Sequence, residues 1–430
     1  MIPLLVLLAS SVAGVYVGRR LLGSWVNHLS IYSVTWGLSL SAYELRLILY
    51  NPICTEAWLY IAVAWVSVFL GAALVVFSMR NQAPGNVVMP DFNPSFLKIT
   101  IWVLSLLTVV SLIQQIRQIQ AEFGGLMQAL VLNPNDVYIS RAAGELGGVP
   151  YLGFFELPAA CLAGLYTARL RKLTFTAVLP ILVAAAASVI SMQRAGLLIA
   201  APLFVYAFYF TRTSRRMKLS KRWIAILAAS SVVLFGSFLL IGSHRGSYMY
   251  HSGQTQDLNN AAEYMSGLPS LYFYVSATGP TLSQYLLHPE IDTYSFLGSN
   301  TFAPIFRLLA KLGFRTSVPY YTPFYYVPQD GNQATYLAYI DADFGPAGIV
   351  IVPAILSAVL SFLSLRNNSQ FRISRLMLYV NLLVAMTFSF SGYYLGLTYW
   401  LTSFVASALI GWWIDKTTDQ QNQPSLADAV

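Results

Sequence analysis

Charged residues are scarce in this sequence of 430 residues: they make up 10% of it, while 57% is hydrophobic. With a mean hydropathy of +0.60, that scarcity places the chain outside the range of soluble globular proteins. Cysteine is scarcer still. Cys54 falls near the outer end of one apolar segment and Cys161 within another, at different expected depths, which excludes a disulfide framework. Neither is a candidate nucleophile. No repeat of fixed period is visible. No basic residue precedes the first apolar run, whereas Arg19 and Arg20 follow it. That order is the reverse of a cleavable signal peptide, so the run reads as a retained helix entering from outside.

What the chain has is apolar length. Segments of roughly 17 to 25 apolar residues can span a hydrocarbon core of about 30 Å, and about eleven are present. They begin near Ile2, Ile31, Ala57, Leu97, Tyr151, Leu173, Ala195, Trp223, Phe344, Leu376 and Leu397. Most of the 25 Lys and Arg lie in alternate loops: Arg19 and Arg20; Arg80 and Lys98; Arg169, Arg171 and Lys172; Arg212, Arg215, Arg216, Lys218, Lys221 and Arg222; Arg366, Arg372 and Arg375; then Lys416. Short cytoplasmic loops carry the positive excess, which puts the N-terminus outside and the C-terminus inside. The net charge of +8 is mostly this topological signal plus attraction to anionic headgroups of the membrane lipids. It supports no nucleic-acid partner.

The expected architecture is an all-α polytopic membrane protein with a large extracytoplasmic loop between the eighth and ninth spans. Residues 1–242 hold the first eight, 243–343 the loop with short amphipathic helices, 344–414 the last three, and 415–430 a short polar cytoplasmic tail. The loop is the only long polar interruption. It carries three of the four histidines (His244, His251, His288), the cations Arg245, Arg307, Lys311 and Arg315, and many tyrosines and phenylalanines.

Several outer-side arginines fall outside the topological trend and need another reason. Arg194, in Ser191-Met192-Gln193-Arg194-Ala195-Gly196, sits in a tight turn between two apolar helices. A desolvated guanidinium there is costly unless it meets an anion, and its planar fork suits phosphate; snorkelling to headgroups is the plainer alternative. Arg245 follows the eighth span in Gly242-Ser243-His244-Arg245-Gly246-Ser247, where small neighbours let a bulky anion approach. An interfacial cation at a helix end would look the same. Together the two arginines read as two clamps on one phosphate-bearing group. Glu44, Arg46 and Glu156 read as a buried ion-pair network, with Glu156 also a general-base candidate.

Within the loop, Pro319-Tyr320-Tyr321-Thr322-Pro323-Phe324-Tyr325-Tyr326-Val327-Pro328 is a proline-stiffened aromatic ribbon. Its flat amphipathic faces suit sugar rings, although tyrosines also belong to interfacial belts. Thr301 to Gly313 reads as a short amphipathic helix with Arg307 and Lys311 one turn apart and a glycine stop, able to lie on the membrane and cover a cavity. The stretch from Gln118 to Pro150 is a second candidate lid. Asp341-Ala342-Asp343 has the spacing of a metal-binding carboxylate pair, but Asp343 precedes Phe344-Gly345-Pro346 and reads more simply as the cap of the ninth helix. No metal ligand and no cofactor is expected.

Five stretches carry a resemblance. They are Gln193-Arg194-Ala195-Gly196, Gly242-Ser243-His244-Arg245-Gly246, Gly267-Leu268-Pro269-Ser270-Leu271, Phe302-Ala303-Pro304-Ile305-Phe306-Arg307-Leu308-Leu309, and Asn332-Gln333-Ala334-Thr335-Tyr336 with Asp343-Phe344-Gly345-Pro346-Ala347-Gly348. In this order they resemble bacterial oligosaccharide repeat-unit polymerases, the O-antigen polymerase family. The resemblance covers the second half of the chain; the first half matches only in hydropathy. It implies a GT-C-like membrane-embedded glycosyltransferase of the bacterial cytoplasmic (inner) membrane. Such an enzyme would move a growing glycan from its polyprenyl diphosphate to a hydroxyl of an incoming lipid-linked unit, by inverting, metal-independent transfer. The leaving diphosphate needs stabilisation of developing negative charge, which Arg194 and Arg245 would give by bidentate contacts. Arg307, Lys311, Asn332, Tyr325 and Tyr336 would position donor or acceptor, and His244, Asp341 or Glu156 would serve as base. A chain-length regulator is a further partner compatible with the resemblance. An O-antigen-ligase-like transferase would share donor and cleft. A transporter or flippase would instead want a polar path at the midplane.

The topology is tested directly by cysteine labelling. Ser252→Cys is expected to react with an impermeant thiol reagent in intact cells and Ser214→Cys is not; the opposite pattern would reverse the orientation.

Overall fold

The computed structural model describes residues 2–80, 92–142, 145–149, 151–193, 195–214, 223, 236, 239–240, 253–289, 297–314 and 323–421. The chain is mostly helical. The described helices are α1 (Ile2–Leu22), α2 (His28–Glu44), α3 (Thr55–Ser78), α4 (Pro94–Phe123), α5 (Leu126–Leu132), α6 (Pro134–Ala142), α7 (Glu156–Leu170), α8 (Phe175–Ile190), α9 (Ala195–Ser214), α10 (Gln256–Tyr264), α11 (Leu268–Ser276), α12 (Thr278–Leu287), α13 (Ala303–Lys311), α14 (Thr335–Ser369), α15 (Ile373–Thr387) and α16 (Thr398–Gln421). Strands β1 (Tyr325–Tyr326) and β2 (Asp330–Gly331) form a hairpin, pairing Tyr325 with Gly331 and Tyr326 with Asp330. Among the described residues, five helices are long and apolar enough to cross a membrane: α1, α3, α4, α9 and α14. The apolar α8 and α15 are shorter. The span expected from Trp223 lies largely outside the described residues.

The chain divides into two compact units. The first holds residues 1–83, 247–365 and 385–401; the second holds 84–246, 366–384 and 402–430.

In the first unit, small residues let the helices meet. Gly14 of α1 faces Ser33 of α2 and Gly37 of α2 faces Ser11 of α1, so tightly that a Cβ at either glycine would strike those side chains, and Gly18 meets Asn27 at the cap of α2. Close approach of this kind is how helices associate where lipid supplies no hydrophobic drive. Gly71 of α3 lies directly against the Ala354 carbonyl of α14. Polar pairs then fix the register. The buried Tyr32 and Tyr336 hydroxyls are 3.0 Å apart, Trp36 Nε1 donates to Ser389 Oγ at 3.0 Å, and His28 Nε2 lies 3.0 Å from Ser357 Oγ and 3.3 Å from Ser361 Oγ. A smaller core of Ile48, Leu258, Phe273, Ala277 and Val327 ties the segment after α2 to α10, α11 and the hairpin. Leu49 N donates to Gly253 O (2.7 Å) and Thr255 N to Leu47 O (3.0 Å) across it.

α14 has two parts: a first helix that begins at Thr335, whose Oγ1 accepts from Leu337 N at 3.1 Å, and beyond the break at Gly345 a second, close to where the ninth span is expected to start. Both acids of Asp341-Ala342-Asp343 therefore lie inside the helix, just before it breaks at Gly345 (φ 59°, ψ −161°). Only a residue without Cβ adopts that geometry cheaply, and Pro346 restarts the helix beyond it.

In the second unit α7 is buried along almost its whole length, packing against α4, α8 and α9, and Gly164 meets the Phe204 carbonyl of α9. The stretch read as a second candidate lid contains α5 and α6, with a core of Ile119, Ala129, Val137, Leu146 and Met192. Met192, held at φ 50°, belongs to the turn that leads to Arg194. Asp415 of α16 accepts from Ile373 N (2.8 Å) and Ser374 N (3.0 Å), capping α15.

A methyl group at Gly71 has no room, because its neighbour is backbone. Gly71→Ala is expected to lower the thermal midpoint in detergent, corresponding to about 1–3 kcal/mol of overpacking. Gly147→Ala, where a Cβ meets nothing within 4 Å, is the control and is expected to leave the midpoint unchanged.

Candidate functional site

Asp341 is the polar group around which the first unit's chemistry gathers. It lies half-buried in the second turn of α14. Tyr60 of α3 donates its hydroxyl to Oδ1 at 2.9 Å, and Tyr285 of α12 donates to Oδ2 at 3.0 Å. The Tyr285 ring meets Tyr325 of β1 edge-on, with centroids 6.3 Å apart. Two tyrosines, from a long apolar helix and a short helix, thus hold one carboxylate, and a third from the hairpin packs against the second. Burial first, and then the Asp341 charge and hydrogen bond, raise the Tyr285 phenol above its ordinary value, so it stays a donor. An ionised carboxylate offers about four lone-pair sites; the two phenols use two, and the others can take a proton or a hydroxyl hydrogen.

Asp343, two residues on, has a different task. Its carboxylate accepts from Asn300 N and Nδ2, each at 3.0 Å, and from Thr301 N. It therefore caps the turn that enters α13 rather than its own helix, which corrects the expectation for this residue. Tyr393, stacked on Tyr339 at 6.0 Å, lies near enough that burial and then the Asp343 charge raise its phenol.

Of the residues singled out by sequence, Asp341 and Tyr325 are brought together. Arg307 stands on α13, its Nη1 3.5 Å from Thr398 Oγ1, and Lys311 at the end of that helix is exposed. Asn332 is half-buried between β2 and α14. Tyr336 is buried, its hydroxyl 3.0 Å from that of Tyr32 and its ring edge-on to Trp36 at 6.2 Å. Glu156 opens α7 in the second unit and is 3% exposed. Among the described residues neither Glu44 nor Arg46 forms an ion pair, and Arg46 is exposed, so the expected network does not include them. Arg194, His244, Arg245, His251 and Arg315 lie outside the described residues.

Tyr60, Tyr285, Asn300 and Thr301 were missed. A tyrosine one and a half turns into an apolar span gave the only signal, at Tyr60, and it is easily taken for a belt residue. In the second unit a groove of about 500 Å³ is lined by Arg372, Ser374, Arg375, Trp412, Asp415, Lys416 and Asp419. Its acids are already engaged: Asp415 with α15 amides, Asp419 with Arg372.

Comparisons with models of known protein families, with curated proteins and with solved structures gave no match.

The clasp made by Asp343 is testable as stability. Asp343→Ala would leave buried amides of Asn300 and Thr301 without an acceptor and is expected to destabilise the fold by about 2–4 kcal/mol, read as a fall in thermal midpoint in detergent. An unchanged midpoint would show that the turn finds its acceptors elsewhere.

Proposed function

We propose that this chain is a membrane-embedded glycosyltransferase that joins polyprenyl-diphosphate-linked oligosaccharide units into a longer glycan on the extracytoplasmic side, as the O-antigen polymerase resemblance implies. The observation that carries the reading is the Asp341 carboxylate held between the Tyr60 and Tyr285 phenols, with Tyr325 continuing the wall. The three rings are buried, so they orient the carboxylate rather than present a face to a sugar. A carboxylate with spare lone pairs beside them suits the hydroxyl of an acceptor sugar.

In this reading the acceptor hydroxyl oxygen attacks the anomeric carbon of the donor glycan, and the bond from that carbon to the diphosphate oxygen breaks with inversion. The acceptor's proton passes to Asp341. The diphosphate leaves with the electron pair and remains on its polyprenyl carrier. General-base help of this kind contributes about 10²–10⁴ in rate. Stabilising the leaving group falls to Arg194 and Arg245, on the strength of the sequence: a planar fork meets a diphosphate bidentately where an ammonium meets it as a point charge. Among the three base candidates, Asp341 is favoured because two phenols orient it and leave lone pairs to spare.

The test is polymerisation of lipid-linked repeat units by purified protein, read as a glycan ladder. Asp341→Asn is expected to lower the rate by about two to four orders of magnitude, and Arg194→Lys and Arg245→Lys by the equivalent of about 2–4 kcal/mol, with expression and thermal midpoint preserved. Full activity in Asp341→Asn would remove that residue from the reaction. Relocation of the unlengthened lipid-linked sugar across a bilayer, with no ladder, would replace the transferase reading by a transporter.

A further inference from the structure

α13 has two unlike faces. Phe302, Ile305, Leu308 and Leu312 recur at three- and four-residue intervals and are 50%, 46%, 53% and 66% exposed, while Ala303 and Pro304 on the other side are buried. A row of large apolar side chains facing outward needs a partner.

The attachments of the helix fix its level. At its N-terminal end Asp343 holds the Asn300 and Thr301 amides, and Asp343 lies just ahead of the break at Gly345. Beyond that break α14 shows an outward row of Val350, Ile351, Ile355, Val359 and Phe362, 41–58% exposed, as a lipid-facing helix does. Arg307 reaches Thr398, the first residue of α16. α13 is thus tied to the stretch of α14 just ahead of its break and to the first residue of α16. Residues 297–314 contain Arg307 and Lys311 and no acid, which suits anionic headgroups and disfavours face-to-face pairing with a second copy of the same helix.

We propose that α13 is seated in the bilayer at the boundary between headgroups and acyl chains, on the side where α14 begins, with Phe302, Ile305, Leu308 and Leu312 among the chains. Lys311, exposed at the end of the helix, extends to headgroup level along its own methylene stem. The partner is phospholipid, and the surface is an anchor independent of any reaction assigned to Asp341.

The test uses the full chain in lipid nanodiscs with and without phosphatidylglycerol. In a Cys54→Ser, Cys161→Ala background, spin labels are attached at Leu308→Cys, at Ile305→Cys, and at Glu263→Cys on α10 as an exposed control. Collision with dissolved oxygen and with a water-soluble nickel chelate is then compared. Labels at 305 and 308 are expected to favour oxygen over nickel several-fold relative to the label at 263, and more so with phosphatidylglycerol. Nickel access at 305 and 308 equal to that at 263 would place the face in water and overturn the proposal. Protection from both reagents would show a protein covering, such as a second copy, and overturn it equally. Two positions on one face keep the test decisive if one variant fails to fold.

Discussion

Where water is absent, every backbone amide must find its acceptor within the protein, and that requirement governs this chain more than any other. Helices meet it internally, and the difficulty concentrates where helices end or break. The few acids are used there. Asp343 supplies acceptors to the turn at Asn300 and Thr301, and Asp415 supplies them to the first amides of α15. Thr335 does the same with its hydroxyl at the start of α14. Against that pattern Asp341 stands apart, because its donors are two phenols from other elements rather than backbone amides. It is half-buried and completes no helix end.

The second constraint is distance between helix axes. In lipid the hydrophobic effect cannot press helices together, so contact depends on small residues that admit backbone to backbone. Gly71 against Ala354 and Gly164 against Phe204 are the closest approaches, one in each unit. Polar pairs such as Tyr32 with Tyr336 and Trp36 with Ser389 then choose one register among those that close packing allows. Positions that read as binding groups by residue type, Tyr336 above all, are employed in this way.

Apolar length made most helices legible, since hydropathy and helix length are linked by the thickness of a bilayer. α13 was legible too, from its periodicity, its cations and Gly313. The start of α14 was not. Thr335 to Asp343 contains two acids, which hydropathy scores as loop, while the donors that satisfy those acids come from residues distant in sequence. The candidate site shows the same limit. Asp341 and Tyr325 attract attention by type and neighbourhood, but Tyr60 is 281 positions from Asp341 and Tyr285 is 56. No local pattern encodes a meeting over such separations; it is fixed by which helices pack. Arg194 and Arg245, which carry the phosphate reading, lie outside the described residues.

The position of Asp341 gains meaning from its neighbours along α14. Two residues further on, Asp343 grips the turn that leads into α13, and two residues beyond that the helix breaks at Gly345. The short stretch from Asp341 to Gly345 therefore joins three things: the tyrosine-held carboxylate, the entry to an amphipathic helix and a change of backbone direction. A displacement of α13 would act on Asp343 first, through two amide bonds, and on Asp341 half a helical turn away. The carboxylate's own bonds to Tyr60 and Tyr285 resist that displacement, because those residues sit on elements that α13 does not carry. The clasp thus couples an outward-facing helix to the candidate base while the phenols hold the base in register.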